Sequence, residues 1–173
     1  MFRPRLSRLR LLAFAVAMFV LVPAGTAAAC SGAGSHSASS AKYSEAVRCL
    51  LNQQRAQARL SPLTPDRRLA RAARRFSQTM VRERFFAHVS PTGSTMGQRI
   101  RAAGYSGRTA GETIGWGSGS LAAPAAIVQG WMDSPPHRAI IMDGRFREVG
   151  LGIAPGSPAG TGDAVTVTAN FGG

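Results

Sequence analysis

Cysteine, lysine and acidic residues are scarce in this chain of 173 residues: two cysteines, a lone Lys42, and 8 aspartates and glutamates against 21 basic residues. Two cysteines, Cys30 and Cys49, allow one intramolecular pairing and no more. No His-Glu-x-x-His zinc helix occurs, and no Gly-x-Ser-x-Gly elbow surrounds Ser90, Ser94, Ser118 or Ser134. The stretch Gly115-Trp116-Gly117-Ser118-Gly119 is not followed by Gly-Lys-Ser/Thr, so it is no phosphate loop. There is no internal repeat, no nucleic-acid-binding motif and no aromatic platform for stacking bases. Together these absences leave a chain without an evident nucleophile.

What is present begins at the N-terminus. Arg3, Arg5, Arg8 and Arg10 precede an apolar stretch from Leu11 to Val22, then Pro23, Gly25 and the small run Ala27-Ala28-Ala29. That order is a secretory signal peptide over residues 1–29. The stretch is shorter than the roughly 20 residues a membrane span needs, although a retained anchor is the competing reading. Cleavage after Ala29 leaves Cys30 first. It either pairs with Cys49 in an oxidising compartment, the preferred reading, or carries a lipid anchor, against which stands Ala27 where a larger aliphatic is usual. A bridge there is worth about 3 kcal/mol in the chain-entropy model. Residues 30–42, rich in Ser, Gly and Ala and including His36, read as a flexible linker, and 43–173 as one domain. Four arginines leave with the leader, so 17 basic and 8 acidic residues remain, net +9. Such a domain is drawn to anionic lipid or wall polymers.

The pattern predicts helices over Ser44–Arg59, with Arg48, Arg55 and Arg59 toward water, and over Pro65–Phe86 with Thr64 as N-cap. Leu69, Ala72, Ala73, Phe76 and Met80 line the buried stripe of the second, and its arginines make a solvated face. Ser94 caps a short helix to Ala103. Gly107–Ser120 reads as a loop or irregular strand. Ala122–Asp133 is helical, Ser134-Pro135-Pro136 breaks it, and a last turn carries His137 to Met142. Phe146–Ile153 and Ala164–Phe171 are strands joined by Gly156–Gly162. Helices first and strands last argue α+β, with helices packed on an antiparallel sheet.

His88, Glu112 and His137 are the candidate site. Neutral imidazoles bind divalent metals, and a carboxylate completes a ligand set, orients a ring or serves in acid–base work. Only the fold can bring residues this far apart together. Arg138 is read as pairing with Asp143 or Glu148, and Trp116 and Trp131 as core.

Gly111-Glu112, Trp131-Met132, Ser134-Pro135 with His137-Arg138, Val149-Gly150-Leu151-Gly152 and Asn170-Phe171-Gly172 follow one another at telling intervals. With Leu51-Asn52, Arg55 and Phe86-Ala87-His88, they make Tyr43–Gly173 resemble the CAP superfamily in its bacterial secreted form. That superfamily comprises cysteine-rich secretory, antigen 5 and pathogenesis-related 1 proteins, sharing the SCP domain. The resemblance implies a three-layer α-β-α sandwich with a central antiparallel sheet. It also implies a wide cleft lined by His88, Glu112 and His137, where paired histidines hold a divalent cation, usually zinc. Three positions depart from the family pattern. Thr113 and Ile140 stand where asparagines are usual, and Ser134, with Asp133 beside it, stands where a second cleft glutamate is usual. A cation would then have two nitrogens and water, and so be weakly held.

The resemblance and the charge point to a secreted monomeric binding module, at most peripheral to membranes and without nucleic-acid partners. Its expected ligand is an anionic lipid, a wall polymer or a protein, met through the cleft with Ser134, Asp133 and Arg138 in support. The alternative is a metal-dependent or serine-type hydrolase in the same cleft. A third reading makes the trio purely structural, tying the long loop to two helix ends.

Overall fold

A computed structural model describes residues 30–173 except 36 and 38; the leader and His36 lie outside the described residues. Helix α1 spans Ser40–Gln57, and a two-residue strand β1 (Thr64–Pro65) precedes α2 (Arg67–Glu83). Next come α3 (Met96–Ala102), strand β2 (Ala110–Ser118), α4 (Pro124–Asp133) and α5 (Pro135–Ile141). Strands β3 (Glu148–Pro155) and β4 (Ala164–Gly172) close the chain. The sheet order is β1-β3-β4-β2.

The described residues form an α+β fold, five α-helices around a four-stranded sheet. The sheet is mixed rather than wholly antiparallel: β4 pairs antiparallel with β2 and β3, but β1 pairs parallel with β3, Thr64 opposite Glu148 and Pro65 opposite Val149. Proline tolerates that edge because it has no N–H to pair. Thr64 and Pro65 therefore belong to a strand, not to the start of α2. Asp66 is the N-cap, its carboxylate accepting from the N–H of Arg68 (2.8 Å) and Leu69 (2.9 Å). Burial pushes the Asp66 carboxyl up, but hydrogen bonds from the Arg68 side chain and these two amides together hold it below its ordinary value.

Strand β4 is buried along its whole length, as the middle of three layers requires. Its odd positions, Val165, Val167, Ala169 and Phe171, pack with Tyr43, Val47 and Leu51 of α1, Ile127 and Trp131 of α4, and Ile141 of α5. The opposite face receives α2. Gly150 and Gly152 of β3 permit the close approach: a Cβ at Gly150 would lie 2.0 Å from the Ala70 nitrogen, and one at Gly152 2.1 Å from the Ala73 carbonyl carbon. The Ser77 hydroxyl fills the remaining polar demand, donating to Gly152 O (3.0 Å) and meeting Thr168 Oγ1 (2.8 Å). Leu69, Ala72, Ala73, Phe76 and Met80 are all buried, as the apolar stripe predicts.

Three stretches differ from expectation. Helix α1 begins at Ser40, with Ser39 as its cap, so its first turn lies inside the stretch read as flexible linker. Cys30 is bonded to Cys49, and Ala33 O accepts from the Ala125 N–H (3.0 Å), which fixes that segment against the domain. Arg55 does not face water but is fully buried. It donates to the carbonyls of Ser61 (2.9 Å), Ile141 (2.7 Å), Asp143 (3.0 Å) and Phe146 (3.0 Å). Finally, Ala110–Ser118 is a regular strand paired with β4 from end to end, not a loop.

Candidate functional site

His88 lies just past α2, which ends at Arg84 in the left-handed conformation (φ 53°) and so turns the chain sharply toward the sheet. Glu112 sits on β2 opposite Asn170 of β4, on the face that receives α2. His137 enters from the first turn of α5, whose start is set by Pro135. Helix α4 ends at Asp133, as Ser134-Pro135-Pro136 leads one to expect, and the two prolines also open the next helix, because their fixed φ suits its first turn.

The structure brings the trio together. His88 Nδ1 lies 2.9 Å from Glu112 Oε1, and the His88 and His137 ring centroids are 6.5 Å apart, tilted by 52°. A carboxylate only accepts, so Nδ1 carries the proton and Nε2 of a neutral His88 keeps the lone pair. His88 is half exposed (51%) whereas Glu112 is buried (3%). His137 is half-buried; burial, and secondly the neighbouring His88, hold its pKa below the ordinary imidazole value.

Two residues complete the arrangement that the sequence reading leaves out of the site. Arg99 of α3 places Nη2 3.0 Å from Oε1 and 2.7 Å from Oε2 of Glu112, while its Nη1 donates to the carbonyls of Ser94 (2.7 Å) and His88 (3.1 Å). Its guanidinium stacks on Phe76, 3.3 Å from the ring centroid. Asn170, with its amide oriented to satisfy both neighbours, donates to Glu112 Oε2 (3.1 Å) and accepts from the Ala73 N–H (3.3 Å). The only sequence signal for Arg99 is indirect: a carboxylate in a buried strand needs a cation, but nothing in the sequence says which arginine.

The supporting residues behave differently from one another. Ser134 is half-buried and lines the same hollow as His137. Asp133 is exposed and accepts from Gln129 Nε2 (2.8 Å). Arg138 is exposed and makes neither expected ion pair: Asp143 is held by Arg145 (2.6 Å), which keeps its carboxyl at about 2, and Glu148 accepts from the Tyr105 hydroxyl (2.7 Å). Thr113, one residue on from Glu112, points to the opposite face of β2 and takes no part in the site. Trp131 is core, its indole donating to Ile114 O (2.9 Å), but Trp116 is 38% exposed.

With Glu112 already accepting from a guanidinium, an imidazole and an amide, the trio does not fit a three-ligand metal site. Among the described residues no group of three or more His, Cys, Asp or Glu is placed to hold a metal. Two imidazoles are what the cleft offers a cation.

Hollows flank the imidazole pair on both sides. One, of about 540 Å³, is lined by His88, Val89, Met96, Glu112, Ile140 and Phe146 among others. The second, of about 340 Å³, is lined by Phe86, Trp116, Leu121, Trp131, Ser134 and His137 among others.

Comparison with known proteins agrees with the fold. The profile of the cysteine-rich secretory protein family, CAP, matches residues 50–171. The uncharacterized protein YkwD of Bacillus subtilis is 36% identical over 110 residues, 64% of this chain and 42% of that protein. The chain therefore spans less than half the length of that relative. An extracellular SCP-domain protein of Bacillus anthracis superposes with a TM-score of 0.63 at 25% identity, over 78% of this chain and 44% of that one. An outer surface protein of Borrelia burgdorferi shares the fold, with a TM-score of 0.68 at 18% identity, over 78% and 95% of the two chains.

Proposed function

We propose, for a chain that belongs to the cysteine-rich secretory protein (CAP) family, an extracellular role as a non-enzymatic binding module whose cleft takes a small amphiphile. One observation carries this reading. The four exposed large apolar side chains among the described residues, Phe86, Val89, Trp116 and Leu121, all line the two hollows beside the histidines. Exposed apolar surface gathered at one polar centre marks a ligand site. An apolar chain would lie against Phe86, Trp116 and Leu121, with its polar head at the imidazoles. An anionic head suits a domain of net +9. A divalent cation would be held by His88 and His137 alone, weakly and exchangeably. Export through the leader places such a site outside the cell, in keeping with the extracellular and outer-surface proteins that share the fold.

Trp116 is a built-in reporter. Titration of the mature chain with monomeric lysophosphatidylglycerol should give a saturable blue shift of its fluorescence, weakened at least tenfold in the Phe86→Ser/Leu121→Ser variant. No saturable change, or an unchanged affinity in that variant, sinks the proposal.

Hydrolysis in the same cleft is the runner-up, favoured by the hydrogen bond from His88 to Glu112, which orients an imidazole as a general base requires. Against it, the Glu112 carboxylate is neutralised by Arg99, and the Ser90 hydroxyl is occupied by Thr92 (2.9 Å) and the Ser94 N–H (3.0 Å). Cleavage of a peptide library, abolished by His137→Ala, would reverse the ranking.

A further inference from the structure

The outer face of α2 forms a second surface, independent of the cleft. At 100° per residue, positions 67, 71, 74, 75, 78 and 82 fall within an arc of about 100°. Five of these six are arginine and the other is Gln78. The stripe runs about 22 Å along the helix axis. Arg67, Arg74 and Arg75 are exposed, and the helix has one acidic residue, Glu83 at its far end, which engages Arg82 (2.9 Å). Like charges three and four residues apart weaken a helix. A solvated face alone does not require that cost.

Hollows with hydroxyl and amide side chains border the stripe on either side. One, of about 350 Å³, is lined by Arg67, Arg71 and Arg74 together with Ser40 and Ser44 of α1. The other, of about 520 Å³, brings Arg75 alongside Thr92, Ser94 and Gln98. Guanidinium groups flanked by hydroxyl and amide donors suit phosphate oxygens. Among the described residues the exposed large apolar side chains all lie at the cleft, so this face has nothing there to insert into a bilayer, and no exposed aromatic on which bases stack.

We propose that the arginine stripe of α2 binds a flexible, linear phosphate polymer along its length. The probe is medium-chain inorganic polyphosphate, titrated into the mature chain between about 50 and about 200 mM salt. Binding should weaken steeply with salt. The triple variant Arg67→Ser/Arg74→Ser/Arg75→Ser should flatten the slope of log K against log salt by about 2 and lose at least about tenfold in affinity at low salt. A variant of equal charge loss elsewhere, Arg59→Asn/Arg108→Ser/Arg147→Ser, should bind like the parent.

Equal losses in the two triple variants would reduce the effect to net charge and overturn the proposal. Tighter binding of single-stranded DNA than of polyphosphate would overturn it in favour of nucleic acid. Binding to phosphatidylglycerol vesicles without binding to polyphosphate would overturn it in favour of a membrane. None of these outcomes bears on the lysophospholipid titration of the cleft, so the two proposals fail separately.

Discussion

Arg99 and Glu112 form a buried ion pair in which one guanidinium nitrogen reaches both carboxylate oxygens, and the same carboxylate accepts the His88 Nδ1 proton. The pair joins α3 to β2 and sets the ring that faces the cleft. Its side chains are 11% and 3% exposed, so neither charge has much water to fall back on. Breaking such a pair costs more than forming it gains, because the survivor is left buried and uncompensated.

Arg99→Met should therefore lower stability by about 3–5 kcal/mol in urea unfolding. Arg99→Met/Glu112→Leu should recover a large part of that loss, since no charge is then stranded. Equal destabilisation by the single and double variants would mean that the two residues do not act as a pair. His88 in the double variant should also lose its preference for the Nδ1–H tautomer, read from its ring nitrogen shifts.

Protonation of His137 should oppose folding. Its pKa lies below the unfolded value of about 6.5, chiefly through burial and secondly through His88. Between the folded and unfolded values the unfolded chain binds more protons, so stability rises with pH there. On acidification the loss should begin near pH 6.5 and level off once the folded-state pKa is passed. His137→Gln should remove this component from the pH profile of urea unfolding while leaving the carboxylate-driven losses at lower pH in place. A histidine resonance titrating above its ordinary midpoint at position 137 would contradict the assignment.

Much of this was legible in the sequence, and the misreadings have definite causes. The apolar stripe of α2 is a local periodicity and is buried as read, and the alternation of β4 correctly marks a strand, although that strand is buried on both faces. Strand β2 was obscured because its glycines look like flexibility. They are required by packing: a Cβ at Gly115 would lie 3.0 Å from Trp131 Nε1, and one at Gly117 2.1 Å from Leu121 O. His88, Glu112 and His137 could be gathered from order and resemblance. Arg99 could not, and Arg55, though part of the resemblance, reads as facing water, because the partners that hold them are remote: Glu112 for one, the 141–146 carbonyls for the other.

Arg55 acts as a pin between α1 and the chain that follows α5. Removing it strands the buried carbonyl oxygen of Ile141, at a cost of about 1–3 kcal/mol, and leaves that of Phe146 with Arg147 Nη1 (2.9 Å) as its remaining donor. Arg55→Met, which keeps the aliphatic volume, should destabilise by at least about 3 kcal/mol and loosen residues 141–146 in hydrogen exchange. Arg55→Lys should retain only part of the stability, because one ammonium cannot reproduce the spread of the guanidinium over four carbonyls.

Thr113 presents the reverse case. It is fully buried, and its Oγ1 has no hydrogen-bond partner, on the face of β2 turned away from Glu112. A hydroxyl in that position contributes desolvation cost without a compensating bond. Thr113→Val keeps the shape and β-branching while removing the unpaired group, so stability should stay level or rise by about 1 kcal/mol. Ligand binding in the cleft should not change, because the side chain lies on the other side of the strand. A loss above about 1 kcal/mol would show that Oγ1 is satisfied in solution, as by a buried water, and that Thr113 is part of a polar network after all.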